Sequence, residues 1–201
     1  MKIIIASNNP HKVAEYRLLF RKTSLEVLAM SDIGVSITAD ESGSTYEQNA
    51  AIKAEALKGL TNCLVIADDS GLEIASLHNF PGLESARFAE RCGGHHNAIQ
   101  EILKKLENHG DRKARFVCVI ALCNCKESTI LFRGECDGRI LEREEGSKGF
   151  GYDPVFFSDE ADASFATLTD EQKNRFSHRG RAVQMLIAYL REQKVIETVF
   201  A

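Results

Sequence analysis

Apolar residues recur along this chain in two spacings, the short runs of buried strands and the three-to-four spacing of amphipathic helices. An apolar run predicts a first strand over Lys2–Ala6, and the spacing after a polar turn predicts a helix over His11–Phe20. Leu25–Ala29 predicts a second strand. The polar stretch Ser31–Gly43 predicts a loop, so the chain begins as strand, turn, helix and strand.

The next segment combines a helix signal with an acidic cluster. Ser44 and Glu47 have the spacing of a capping box, which predicts a helix from there to about Leu60. The apolar run 62–67 then ends in Asp68-Asp69-Ser70-Gly71, and Leu72–Leu77 resumes a strand pattern. We therefore expect the two aspartates at a strand end.

The second half of the chain is rich in strands. Its predicted strands are Arg115–Cys125, Thr129–Glu135, Gly138–Arg143 and Val155–Phe157, and its predicted helices are His95–Leu106 and Gly180–Gln193. Thr169 and Gln172 form a second capping-box pattern. The order of elements predicts an α/β fold with a mixed sheet, a single domain over 1–201, and two lobes with a cleft between them as the default ligand site.

Composition narrows the class of partner. The 201 residues are 44% hydrophobic with a net charge of −4, and the longest early apolar run is far shorter than the roughly 20 residues of a membrane span. We therefore expect no membrane and no nucleic acid polymer as partners, because polymer binding requires a basic surface. The six cysteines show no metal-site spacing, which favours reduced thiols and a cytoplasmic protein.

The turn after the first strand is a candidate anion site. Ser7, Asn8, Asn9 and Lys12 lie where a helix begins, and a helix start favours negative charge. An ordinary helix cap with a solvated lysine explains the same residues equally well. The chain has no Walker motif, so it is not a P-loop enzyme.

Three carboxylates are candidates for binding Mg²⁺, which prefers oxygen ligands. They are Glu41, Asp68 and Asp69; since consecutive strand residues point to opposite faces, at most one aspartate should reach the metal directly. A simple Asp-Asp-Ser-Gly turn is the alternative. Lys53, on the helix after Ser44, has no distinguishing periodicity of its own.

A glycine-rich segment later in the chain is a candidate base pocket. Phe150 and Tyr152 flank Gly151, so either ring could stack on a base, and Asp153 could accept a hydrogen bond from it. The segment Ser177–Arg179 supplies donors for a carbonyl, although such pairs are commonly surface residues.

Six motifs in this order resemble the non-canonical purine nucleoside triphosphate pyrophosphatase family, also called inosine triphosphate pyrophosphatases. They are Ser7-Asn-Asn-Pro-His-Lys12, Glu47-x-Asn-Ala50 with Lys53-Ala54, Ala67-Asp-Asp-Ser-Gly-Leu72, Pro81-Gly-x-x-Ser-Ala-Arg-Phe88, Gly149-Phe-Gly-Tyr-Asp-Pro154 and Ser177-His-Arg179. Together they run nearly the length of the chain.

The resemblance implies an elongated mixed sheet flanked by helices, two lobes around a central nucleotide-binding cleft, and a homodimer. It also implies Mg²⁺-dependent cleavage of inosine, deoxyinosine and xanthosine triphosphates to monophosphate and pyrophosphate. By position, Asp69 and Lys53 match catalytic residues, and Asp69 and Glu41 match metal ligands. The positions matching substrate contacts are Ser7, Asn8, Asn9, Pro10, His11, Lys12, Ser70, Phe150, Gly151, Tyr152, Asp153, Lys173, His178 and Arg179.

Two segments depart from the family pattern. Asn8 stands where a glycine is usual, and the stretch Glu90–His96 replaces a usual glycine and aspartate after Phe88. Two other functions are consistent with parts of the pattern: a pyrimidine-preferring pyrophosphatase of the septum-inhibition group, and a catalytically silent nucleotide-binding module. The base-pocket motif opposes the first, and the intact Asp69, Lys53 and Glu41 oppose the second.

Overall fold

The computed structural model describes residues 1–197, and these form a mixed α/β sheet with six α-helices. The strands are β1 (Lys2–Ile5), β2 (Glu26–Ala29), β3 (Leu64–Ile74), β4 (Phe80–Pro81), β5 (Lys113–Cys123), β6 (Ile130–Ile140), β7 (Phe156–Ser158) and β8 (Ala163–Ser164). The helices are α1 (Pro10–Phe20), α2 (Tyr46–Glu55), α3 (Ser85–Arg91), α4 (His95–Lys105), α5 (Asp170–Phe176) and α6 (His178–Glu192). The strand order is β2-β1-β3-β5-β6-β7-β8, with β4 beside β3. The predicted α/β class is confirmed.

The chain divides into two compact units. Unit 1 comprises Met1–Asp69, Cys118–Arg133 and the chain from Arg181 onward, and unit 2 comprises Ser70–Val117 and Gly134–Gly180.

Unit 1 is built on parallel pairing. β1 pairs in parallel with β2, Ile3 opposite Val27, and with β3, Ile4 opposite Val65. Apolar residues of these strands pack with α1 and α6 in one core cluster that includes Ile5, Phe20 and Leu186. This core fixes the carboxyl end of β1, from which the turn into α1 begins.

Unit 2 is built on antiparallel pairing. β6 pairs with β7, Arg139 opposite Phe157, and β7 pairs with β8. Its separate core cluster contains the aromatic residues Phe116, Tyr152, Phe156 and Phe165.

Within residues 1–197 no helix is both long enough and apolar enough to cross a bilayer.

Several predicted boundaries are wrong, and each for a local reason. β3 runs without interruption through Asp68–Gly71, because both aspartates find cationic partners and the strand continues. The predicted separate strand at Gly138 is the end of β6. The last helix begins at His178, two residues before the prediction, with the Ser177 hydroxyl accepting from the Gly180 N–H at 3.0 Å.

The predicted capping box at Ser44 is shifted by one residue. Thr45 is the N-cap of α2, and its hydroxyl accepts from the Gln48 N–H at 3.2 Å. α2 also ends at Glu55 rather than near Leu60, because the N–H groups of Leu57 and Lys58 bond three residues back and tighten the chain into a turn. The capping box at Thr169 is confirmed.

Candidate active site

Unit 1 brings two lysines to two consecutive aspartates of β3. The Lys12 ammonium lies 3.0 Å from Asp68 Oδ2, and the Lys53 ammonium lies 3.0 Å from Asp69 Oδ1. Because consecutive strand side chains point to opposite faces, Asp68 meets α1 and Asp69 meets α2. The two aspartates are buried and differ in their surroundings, although the sequence gives them as a pair.

A third carboxylate joins the Asp69 side. Glu41 Oε1 lies 2.9 Å from the Lys53 ammonium, so Lys53 holds the carboxylates of Glu41 and Asp69 around one nitrogen. Across residues 1–197, no three or more His, Cys, Asp or Glu side chains are grouped so as to hold a metal ion. Mg²⁺ is nevertheless usually bound by one or two carboxylates together with substrate phosphates and water. The Glu41 and Asp69 oxygens suit such a cation, since both already surround a positive charge.

Asn49 completes this cluster and was given no role from the sequence. Its amide nitrogen donates to Asp69 Oδ2 at 3.1 Å, and its oxygen accepts from the Gly43 N–H at 2.9 Å. The side chain is fully buried. Asn49 therefore ties the loop that carries Glu41 to Asp69. In the sequence it stands in the motif Glu47-x-Asn-Ala50, which by itself assigns it no contact.

Burial and the neighbouring charges shift the pKa of Lys53 in opposite directions. For Asp69, only some of the neighbouring charges oppose the effect of burial on the pKa. Burial opposes the charge of Lys53, but the carboxylates of Asp69, Asp68 and Glu41 outweigh it and raise the lysine pKa. Burial raises the pKa of the Asp69 carboxyl, and attraction to Lys53 offsets only part of that rise. Asp69 is thus a better proton acceptor than an ordinary carboxylate while Lys53 stays cationic.

The raised pKa of Asp69 predicts that its ionisation destabilises the metal-free protein. A carboxyl whose pKa is higher in the folded chain than in the unfolded chain stabilises the fold at pH values below its unfolded pKa, which is near 3.8. That stabilisation is lost as the pH rises through the folded pKa. In chelator at pH 7, Asp69→Asn should therefore unfold at higher urea concentration than wild type, with the difference shrinking toward pH 4. Asp32→Asn, in an exposed pair with Arg17, is the control. A less stable Asp69→Asn at pH 7 would contradict the assignment.

The turn between β1 and α1 uses its N–H groups internally. The side-chain oxygen of Asn9 accepts from the N–H groups of His11 and Lys12 at 2.9 and 3.4 Å, and Pro10 has no N–H. The Ser7 hydroxyl accepts from the Asn9 N–H at 3.2 Å. The positive charge at this turn therefore comes from the Lys12 ammonium more than from backbone N–H groups.

Asn8, at the position of the usual family glycine, donates from its amide to the Ile37 carbonyl at 3.2 Å. This bond connects the turn to the loop that leads to Glu41. The departure from glycine thus adds a contact within unit 1.

Unit 2 gathers the predicted base-pocket residues around a buried ion pair. Asp153 Oδ2 accepts from the Lys173 ammonium at 2.7 Å and from the Phe150 N–H at 2.9 Å. Gly149 permits this arrangement: its φ is +72°, and a Cβ there would lie 2.2 Å from Asp153 Oδ2. The Lys173 ammonium lies 4.8 Å from the centre of the Phe150 ring, so the ion pair also supports that ring.

The two aromatic residues beside Gly151 have different environments. Tyr152 is 3% exposed, and its hydroxyl donates to the Ser85 carbonyl at 2.8 Å. Burial raises the pKa of this hydroxyl, which keeps it a neutral donor. Phe150 is only half-buried. The structure therefore favours Phe150 as the stacking ring and Tyr152 as the anchor of the loop.

The two donors at the start of α6 are both buried. The Arg179 guanidinium donates from Nη2 to Ser70 Oγ at 3.1 Å, and its central carbon lies 5.8 Å from the Phe150 ring. His178 is 5% exposed and lies beside Phe116. Such pairs are commonly surface residues, but here both side chains lie in the interior of unit 2.

Comparisons with known proteins agree along nearly the whole chain. A sequence model of the Ham1 family matches residues 3–189. A dITP/XTP pyrophosphatase of Staphylococcus aureus strain MRSA252 is 41% identical over 189 residues, with 94% of this chain and 96% of that protein covered. One from Thermoanaerobacter pseudethanolicus is 43% identical over 192 residues, with 94% and 96% covered. The solved Staphylococcus aureus Ham1 protein has a TM-score of 0.84 at 39% identity, covering 96% of this chain and all of that one (100%).

Proposed function

This chain belongs to the Ham1 family, and from that premise we propose that it hydrolyses non-canonical purine nucleoside triphosphates. The substrates are dITP, ITP and XTP, and the products are the nucleoside monophosphate and pyrophosphate, so the enzyme cleanses the nucleotide pool. The observation that carries the proposal is the Lys53 ammonium held between Asp69 and Glu41 at 3.0 and 2.9 Å. That arrangement combines a proton acceptor with a fixed positive charge.

Asp69 acts as the base in this proposal. A water oxygen attacks the α-phosphorus, the bond from that phosphorus to the bridging oxygen breaks, and pyrophosphate leaves with the electron pair. The proton of the water passes to the Asp69 carboxylate, whose pKa burial raises. Lys53 stabilises the negative charge that spreads over the phosphoryl oxygens.

Glu41 and Asp69 would hold Mg²⁺. The ion supplies charge neutralisation at the phosphates when it is bound. Lys12 adds a second cation, and the turn of Ser7, Asn8, Asn9, Pro10 and His11 shapes the approach of the triphosphate.

The residues of unit 2 recognise the purine. Phe150 stacks on the base, Gly151 leaves room beside it, and Tyr152 holds the loop. The Asp153–Lys173 ion pair supports the Phe150 ring. His178 and Arg179 donate to the carbonyl at purine position 6, and the Ser70 hydroxyl holds the Arg179 guanidinium in place. Adenine has an amine at that position, so each buried donor left unpaired would cost about 1–3 kcal/mol.

The substrate panel that tests this function measures pyrophosphate and orthophosphate in parallel. We expect pyrophosphate from inosine and xanthosine triphosphates, little from adenosine triphosphate, and little from pyrimidine triphosphates. Orthophosphate as the product, or a preference for pyrimidines, would overturn the proposal.

Metal removal should stop the reaction. With the charges of the triphosphate no longer neutralised, chelation should lower the rate to background, and added Mg²⁺ should restore it. Glu41→Gln should raise the Mg²⁺ concentration needed for half-maximal rate, whereas Glu55→Gln, an exposed residue of α2, should not. Full activity in chelator would remove Mg²⁺ from the account.

The same proposal includes a cytoplasmic homodimer. Six free thiols suit a reducing compartment. Light scattering coupled to size-exclusion chromatography tests the assembly, and a monomer at micromolar concentration would contradict it.

A further inference from the structure

One aromatic residue outside all the motifs lies against the proposed base pocket. Phe116, on β5, stacks on the His178 imidazole with ring centres 4.7 Å apart and planes 14° from parallel. Both residues belong to unit 2, and both are buried, Phe116 at 7% and His178 at 5% exposure.

Phe116 is itself held by its neighbours. Its ring centre lies 4.5 Å from that of Phe156, and its plane is parallel to Phe165 within 1° at 6.0 Å. Phe156 and Phe165 are both fully buried. The plane of Phe116 is therefore set by the core of unit 2, and it presents a fixed flat surface to His178.

The direction of a histidine hydrogen bond depends on the plane of its ring, because the ring N–H groups lie in that plane. His178 is the first residue of α6, and its imidazole is buried. The stacked Phe116 ring restricts the plane of this imidazole, and an ordered donor discriminates better than a mobile one.

We infer that Phe116 is a positioning residue for purine selection: it fixes the plane of the His178 imidazole, so that His178 donates to a 6-carbonyl and not to a 6-amine. This inference rests on the proposed function, in which His178 contacts the base. It adds a selectivity role for a residue that acts through the His178 ring.

The test compares kcat/KM for ITP and ATP in Phe116→Leu and Phe116→Tyr. Loss of a stacked ring should lower the ITP preference about three- to tenfold in Phe116→Leu, with most of the change on ITP. Phe116→Tyr keeps the ring face and should retain the preference. His178→Ala gives the effect of removing the donor itself, and Phe88→Leu removes a ring from a different aromatic pair of unit 2.

A structural readout accompanies the kinetics. The imidazole proton signals of His178 in the NMR spectrum should carry the ring-current shift of Phe116 in wild type and Phe116→Tyr and lose it in Phe116→Leu. An unchanged ITP preference in Phe116→Leu, or an equal loss in Phe88→Leu, would overturn the positioning role. A wild-type enzyme without ITP preference would overturn the proposed function and this role together, whereas the ring-current shift would still report the stacking.

Discussion

Asp69→Asn should lower kcat by about 10²–10⁴-fold, the range expected when a general base is lost. Asparagine keeps the shape of the side chain, but it cannot accept the proton of the attacking water. Because burial already raises the pKa of Asp69, the fold does not depend on its negative charge. Steady-state pyrophosphate release and thermal unfolding, measured on the same preparation, check both statements.

Asp68→Asn is the matched control for this substitution. Asp68 is the preceding residue of β3 and is also buried, but it pairs with Lys12 and not with Lys53. It should lose less activity than Asp69→Asn, and its loss should appear mainly in KM because Lys12 is left without its carboxylate. A normal rate in Asp69→Asn, or equal loss of kcat in both variants, would remove Asp69 from its role as base.

Lys53→Met should lower kcat/KM by about 10²–10³-fold, as the loss of one charge aimed at a transition state does. Methionine fills the space of the lysine stem, so the small residues around it on α2 keep their packing. The carboxylates of Glu41 and Asp69 then lose the cation between them. Single-turnover kinetics separates the chemical step from binding, and the larger effect should fall on the chemical step.

Lys58→Met controls for the loss of a lysine. The Lys58 ammonium is exposed and donates to the Glu127 carbonyl at 2.8 Å, outside the carboxylate cluster. The single-turnover rate of the Lys58→Met enzyme should match that of wild type. A Lys53→Met enzyme that keeps its single-turnover rate would show that Lys53 only neutralises carboxylates.

The sequence predicted the amphipathic helix α4 because its apolar residues recur at helical spacing, and it predicted the strand–turn–helix start because an apolar run is followed by a polar turn. The prediction is wrong at β3, which continues through Asp68 and Asp69 instead of ending there. Acidic residues often end a strand because their negative charge requires solvation by water. Here the ammonium groups of Lys12 and Lys53 pair with the two carboxylates within the fold. Such partners lie far apart in the sequence, so periodicity cannot reveal them.

The candidate site shows the same limit. Motif resemblance placed Asp69, Lys53 and Glu41 together, and these three do form one cluster in unit 1. It did not distinguish Phe150 from Tyr152, since their difference lies in burial and in the bond to the Ser85 carbonyl. It also gave no role to Asn49, whose two bonds depend on the path of the loop before α2.

In the proposed reaction, water attacks the α-phosphorus of a non-canonical purine nucleoside triphosphate. Hydrolysis of ITP in ¹⁸O-labelled water, with both products analysed by mass spectrometry, tests it most directly. Attack at the α-phosphorus should place the label in inosine monophosphate and none in pyrophosphate. Label in pyrophosphate, or the formation of labelled orthophosphate, would contradict it.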